Sequence, residues 1–204
     1  MLKPSDPVVF VVDDDEAVRD SLSMLMRSVG LAVRTYSSAL EFLDRFDADR
    51  TGCLVLDVRM PGMSGIELQE QLVAKQATLP IIFITGHGDV PMAVRALRAG
   101  AVDFIQKPFS DQALLDRIHQ ALAQHARDRE EAARKSTIRE RIARLTPREK
   151  EVMLMVADGK ANKVIAIDLG VSERTVEIHR ARVMEKMEAS TLPDLVKMVV
   201  ETRD

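Results

Sequence analysis

The chain of 204 residues has a single cysteine, Cys53, so it can form no intrachain disulfide and has no second thiolate for a zinc site. It also has no long apolar run: nothing approaches the roughly 20 residues that cross a bilayer. Residues 8–12, the longest such run near the N-terminus, are too short even for a signal-peptide core, and the expectation is a cytoplasmic protein with no membrane partner. A basic excess is missing too, since the net charge is -3, which gives no hint of nucleic acid at the level of the whole chain. By segment the balance is uneven. Residues 1–125 carry 12 Lys and Arg against 17 Asp and Glu, residues 126–145 carry 7 against 4, and residues 146–204 carry 10 against 11. What is present is ample apolar material, 46% of the residues with 30% charged, which excludes disordered and fibrous classes, and a length that suits two compact domains.

The first half alternates short apolar runs with longer amphipathic ones, the pattern of a parallel sheet with crossover helices. Residues 8–12, 32–36, 53–58, 80–85 and 102–105 read as strands, rich in Val, Ile and Phe and bounded by Gly, Pro or acidic residues. Cys53, followed by Leu54, Val55 and Leu56, belongs to a buried strand. Between the strands, Val18, Leu22, Leu25, Met26 and Val29 recur at helical steps before Gly30, and Met92, Val94 and Leu97 do so before Gly100. A five-stranded doubly wound α/β domain over about residues 6–124 follows.

From residue 111 to residue 144 there is neither Gly nor Pro, so the last helix of this domain is expected to continue past it as a solvated helical linker. Ile138, Ile142 and Leu145 then step by four and three, toward the next domain or toward a partner helix. The remainder reads as four helices over 147–157, 163–169, 173–187 and 192–202. Thr146 with Glu149 forms a capping box and Ser172 is an N-cap. Only Gly170, Val171 and Ser172 separate the second helix from the longer third, which is a helix-turn-helix signal.

In an open parallel sheet, ligands bind beyond the carboxyl ends of the strands, where the strand order reverses. Asp13, Asp14 and Asp15 follow the first strand, Asp57 ends the third, Thr85 ends the fourth, and Lys107 follows the fifth. An aspartate there is often only a turn or cap residue. Three converging carboxylates, however, repel one another unless a divalent cation neutralises them, and hard oxygens suit Mg²⁺ (or Mn²⁺). A carboxylate beside such an ion, an ammonium and a hydroxyl is equipped to attack a phosphoryl donor.

These residues and their neighbours, Val12-Asp13-Asp14, the run from Leu56 through Asp57, Arg59 and Pro61 to Gly65, Thr85-Gly86-His87 and Lys107-Pro108-Phe109, resemble the receiver domain of bacterial two-component response regulators over residues 6–124. The resemblance implies a flavodoxin-like fold with Asp57 as phospho-acceptor. It makes Asp14 a direct metal ligand, Asp13 a ligand through water, the backbone carbonyl of Arg59 a further ligand, and Lys107 the phosphate-binding cation. Thr85 and Phe104 would be a switch pair. Asp15 and Glu16 remain helix-start residues. His87 reads as loop structure, and the four histidines, 87, 119, 125 and 179, show no metal spacing.

In a helix-turn-helix the second helix enters the major groove, here residues 173–187. Val176, Val183 and Met187 should face inward, leaving Arg174, Thr175, Glu177, Ile178, Arg180, Arg182 and Lys186 outside. A mixed charged face is often merely solvated, but the preceding turn favours DNA. Residues 142–202 resemble the LuxR-type DNA-binding domain, so the whole chain resembles a response regulator of the FixJ/NarL type, FixJ branch. The resemblance implies three parts: a receiver over 6–124, a helical linker over 125–141, and a separate all-α four-helix domain over 142–204. It implies a homodimer, formed on phosphorylation through Leu192, Leu195, Val196 and Val199 of the last helix. It also implies base contacts from Glu177, Ile178 and Ala181. Lys163, Arg174, Arg180, Arg182 and Lys186 are suited to phosphates, which position without specifying.

The implied function is a transcriptional regulator that a sensor histidine kinase phosphorylates, that then pairs on double-stranded promoter DNA, and that can contact RNA polymerase. It is not an enzyme beyond its own phosphorylation and dephosphorylation. A stand-alone aspartate phosphatase would need a second acid two residues after Asp57, where Arg59 stands. A phosphorylation-independent binding module would not need the full set of Asp13, Asp14, Asp57, Thr85 and Lys107.

Overall fold

The computed structural model describes residues 7–47, 50–86 and 90–202, and the chain divides into two compact units, 1–128 and 129–204. The first contains β1 (Val8–Val12), α1 (Glu16–Ser28), β2 (Ala32–Tyr36), α2 (Ala39–Arg45), β3 (Gly52–Asp57), α3 (Gly65–Ala74), β4 (Ile81–Thr85), α4 (Val90–Arg98) and β5 (Asp103–Gln106). The strands form one parallel sheet in the order β2-β1-β3-β4-β5. The order reverses between β1 and β3, so the crevice beyond their carboxyl ends is where the fold receives a ligand.

Strands β1, β3 and β4 are buried throughout, which is why their sequences are continuous apolar runs. The two-residue period of the strand sorts these side chains between two cores. Val8, Phe10, Val12, Leu54, Leu56 and Phe83 pack with Phe42, Leu68, Leu72 and Ala96 of α2, α3 and α4. Val9, Val11, Cys53, Val55, Ile82 and Ile84 face the other way and pack with Leu22 and Met26 of α1 and with Leu114, Ile118 and Leu122. Burial pushes the Cys53 thiol far up, so the group stays protonated and inert.

Leu114, Ile118 and Leu122 belong to α5 (Asp111–Ala143), a single helix of 33 residues that runs through the whole stretch read as linker. Its tail is part of the second unit: Ile138, with Leu145 just beyond the helix end, is buried among Val152, Met153, Ile165, Val176 and Leu195. Of the two partners open to that apolar step, the structure shows the neighbouring helical core. The rest of the second unit is α6 (Pro147–Ala157), α7 (Asn162–Leu169), α8 (Glu173–Met187) and α9 (Leu192–Glu201). Capping boxes at Thr146 and Thr191 start α6 and α9, and Ser172 caps α8. Gly170 closes α7 at φ +65°, a conformation that lets the chain turn in three residues into α8.

Candidate functional site

The carboxyl ends of β1, β3, β4 and β5 bring Asp13, Asp57, Thr85 and Lys107 together. Asp13 and Thr85 are each 1% exposed and Asp57 6%. The Lys107 ammonium bridges the two acids, donating to Asp13 Oδ2 at 2.8 Å and Asp57 Oδ1 at 2.9 Å. The other Asp57 oxygen, Oδ2, accepts the backbone N–H of Arg59 at 2.7 Å, and Asp13 Oδ1 accepts that of Asp15 at 2.9 Å. Burial raises the pKa of Asp13, with Lys107 opposing. Burial works to lower that of Lys107, but its two carboxylate partners outweigh it and the net shift is upward, so the ammonium holds its charge. Asp15 caps α1 by accepting from Ala17 N–H, as its helix-start reading requires.

The backbone holds these groups by close approach. Gly65 donates to the Val58 carbonyl at 3.0 Å, and a Cβ on it would stand 2.3 Å from the Asp57 carbonyl oxygen. Only glycine lets α3 start against the end of β3. Lys107 is tied to the end of β4 through its own N–H, which donates to the Thr85 carbonyl at 2.8 Å. Phe104 is half-buried, its ring 6.2 Å from that of Phe83.

One expectation changes. Two carboxylates converge rather than three, because Lys107 lies between Asp13 and Asp57 and supplies the compensating charge, while the Asp14 side chain is exposed. Among the described residues no three acidic, histidine or cysteine side chains stand in metal-ligating geometry. The donor chemistry still fits a hard divalent cation. Asp13, Asp14 and Asp57 with Lys107 leave a formal charge of about -2, all ligands are oxygens, and Asp14 and Arg59 line a cleft of about 970 Å³ together with Met60, Pro91, Met92 and Arg95. His87 lies outside the described residues.

In the second unit, Val176, Val183 and Met187 are buried and Arg174, Glu177, Ile178, Ala181 and Arg182 of α8 are exposed, as is Lys163 of α7. Thr175 is half-buried, its hydroxyl 2.8 Å from that of Ser172. Two cations expected on phosphates are engaged within the unit. Lys186 donates to Oε2 of Glu149 at 2.6 Å, and Arg180 to Oδ1 of Asn162 at 2.6 Å. Glu149 is itself buried, at 2% exposure, so Lys186 supplies its countercharge and, with the Thr146 N–H, holds its pKa below the usual glutamate range. On α9 the apolar stripe divides. Leu195 and Val199 are buried in the unit's own core, which removes them from an outer face, whereas Leu192 is exposed and Val196 half-buried.

Three pairings leave no signal in the sequence and are brought together only by the fold: Glu149 under Lys186, Arg141 on the end of α8, and His125 against Gly52 and Thr78. The His125 ring is buried with Nδ1 2.9 Å from the Gly52 carbonyl and Nε2 3.4 Å from the Thr78 hydroxyl.

A parallel sheet with an aspartate–lysine–aspartate cluster at its switch point, followed by a capped helix-turn-helix unit, defines the class of two-domain signal receivers with a DNA-binding output. The response regulator receiver domain family matches residues 9–119, and the luxR family of bacterial regulatory proteins matches residues 143–199. The chain is 48% identical over 197 residues to the transcriptional regulatory protein FixJ of Azorhizobium caulinodans, covering 97% of this chain and 93% of that one. It is 46% identical over 197 residues to the response regulator protein TodT of Pseudomonas putida, covering 97% and 87%. The solved structure of the response regulator StyR matches it with a TM-score of 0.88 at 48% identity, covering 96% of this chain and 99% of that one. The chain belongs to the two-component response regulators of the FixJ type, and it is a phosphorylation-activated, DNA-binding transcriptional regulator. No helix among the described residues is long and apolar enough to cross a membrane.

Proposed function

We propose that Asp57 is the phospho-acceptor, that this protein is cytoplasmic and is charged by a sensor histidine kinase, and that the phosphorylated protein pairs on promoter DNA. The observation that carries this reading is the Lys107 bridge between Asp13 and Asp57 at 2.8 and 2.9 Å, at the crevice the strand order creates. An Asp57 carboxylate oxygen attacks phosphorus as the bond to the donor's imidazole nitrogen breaks, and the imidazole leaves with that electron pair. Lys107 holds a transferred oxygen, and the Arg59 N–H holds the carboxylate oxygen in line. Asp13, Asp14, Asp57 and the Arg59 carbonyl would hold Mg²⁺ or Mn²⁺, which supplies neutralisation of the charge on the phosphoryl oxygens. The Thr85 hydroxyl closes on the phosphoryl group and Phe104 turns inward beside Phe83, which alters the face of α4 and β5. The same chemistry supports phosphorylation from small donors and hydrolysis of the phosphoaspartate.

In this reading the receiver spans 6–124, the helical linker 125–141 and the DNA-binding domain 142–204. Arg174, Thr175, Glu177, Ile178, Ala181, Arg182 and Lys163 face DNA, and Leu192 and Val196 on the outer side of α9 carry the pairing, with RNA polymerase a further partner. Two recognition helices on half-sites about one helical turn apart gain affinity through effective concentration. The test is capture and sequencing of genomic fragments with and without Mg²⁺ and beryllofluoride, beside Asp57→Ala. A shared two-half-site sequence, enriched by beryllofluoride in the wild type and not in the variant, is expected. Equal enrichment in every sample would remove the switch.

A further inference from the structure

Three of the contacts that hold α8 in place reach its polar side chains or its free end. Arg180 ties it to the start of α7 and Lys186 to the start of α6. The third comes from outside the four short helices. Arg141, on the tail of α5, donates through one guanidinium nitrogen to the Met187 carbonyl at 3.1 Å and through the other to Oε2 of Glu188 at 2.6 Å. Met187 is the last residue of α8, where unmatched carbonyls concentrate negative charge and a cation is favoured. Glu188 follows in the left-handed conformation, φ +52°, which a non-glycine residue keeps only where its surroundings hold it. The clamp is fixed at its own base. Ile138, one turn earlier on α5, is 4% exposed, and Arg134 pairs with Glu201 of α9 at 3.2 Å.

We infer that Arg141 is a positioning residue for DNA binding, setting the register of the recognition helix by clamping its C-terminal end. This rests on reading α8 as the recognition helix and adds the tail of α5 to the machinery. The ion pair alone does not account for it, because Glu188 is 59% exposed and an exposed pair contributes little. The planar fork that takes a carbonyl and a carboxylate together is the specific feature, and a lysine ammonium cannot reproduce it.

The test uses the full chain with beryllofluoride and a DNA fragment from the capture experiment, read by fluorescence anisotropy across a salt series, with amide hydrogen exchange on the same samples. Arg141→Ala should weaken binding by about tenfold, the equivalent of one charge-assisted hydrogen bond. The slope of log affinity against log salt should stay unchanged, since no phosphate contact is lost. Exchange at the Glu188 and Ala189 amides should rise while that at Val152 and Val156 in α6 stays slow. Arg141→Lys should fall between wild type and Ala. Glu188→Gly, which removes the ion pair and relieves the positive φ, should cost less than Arg141→Ala. Unchanged affinity in Arg141→Ala overturns the inference, and so does a slope shallower by about one charge, which would make Arg141 a phosphate contact. Lysine restoring full affinity also overturns it. If the wild type captures no DNA at all, the function reading fails, and the exchange at Glu188 and Ala189 still decides whether the clamp exists.

Discussion

Gly65→Ala isolates the contact that places Asp57. A Cβ at residue 65 would lie 2.3 Å from the Asp57 carbonyl oxygen, 3.0 Å from Leu56 Cγ and 3.1 Å from the Phe83 ring, and real Cβ contacts essentially never fall below 3.0 Å. The start of α3 must therefore withdraw from the end of β3 by at least about 0.7 Å, and the neighbouring side chains leave no room for a sideways escape. Local propensity argues the other way. Alanine is better than glycine in a helix by up to about 1 kcal/mol and also restricts the unfolded chain, though residue 65 is the first helical position and gains only part of this. Overpacking of this kind costs about 1–3 kcal/mol, and the withdrawal stretches the 3.0 Å bond from Gly65 N–H to the Val58 carbonyl. The net expectation is a loss of about 1–2 kcal/mol in urea unfolding, with phosphorylation from a small acyl phosphate slowed by about 10- to 100-fold because Asp57 has moved. Gly86→Ala is the control, since its Cβ meets no atom within 4 Å. A Gly65→Ala protein as stable as the wild type and phosphorylated at the same rate would refute the argument that this approach positions the acceptor.

Removing the bridge has its own signature: Lys107→Met leaves Asp13 and Asp57 buried without their ammonium and should cost about 1–3 kcal/mol in magnesium-free buffer. Adding Mg²⁺ should narrow that loss, and an equal loss in both buffers would count against a cation at the site. In the second unit, the folded-state pKa of Glu149 is lowered, so its contribution is complete above the ordinary glutamate value of 4.5 and disappears as pH falls through the folded value. Glu149→Gln should therefore flatten the acid limb of the α6 and α8 unfolding curve, followed by NMR of the full chain, and an identical limb would dismiss the Lys186 pair as a source of stability. Arg182→Ala should lower the salt slope of DNA binding by about one unit across unrelated sequences, while Ile178→Ala should change sequence preference with the slope intact.

Much of the fold was legible because period and burial agree. The runs at β1 and β2 and the span of α8 match the structure residue for residue, and β3, β4 and β5 are displaced by no more than one residue at either end. The acidic cluster was legible for the same reason: strand ends on one edge of a parallel sheet must converge, so chain order alone brings Asp13, Asp57, Thr85 and Lys107 together. Through-space pairings were hidden. The sequence places Lys186 and Arg180 on the outer side of α8, but that Glu149 and Asn162 stand opposite them depends on how α6 and α7 cross it. The stripe on α9 shows which residues are apolar. It does not show that Leu195 and Val199 turn inward while Leu192 is left outside. The middle of α5, residues 126–137, is polar nearly all round and reads as solvated, and beyond it the step of Ile138, Ile142 and Leu145 shows packing but not the arginine between them, because a clamp built from arginine has no hydrophobic period.

The lone thiol of Cys53 also gives the protein a clock. Its sulfur lies within β3, fully buried and protonated, so a maleimide or a disulfide reagent reaches it only when the first unit opens. The second unit has no cysteine and is silent to such a reagent. The rate of modification therefore counts openings of the sheet that carries Asp57, from one native atom and without an added probe.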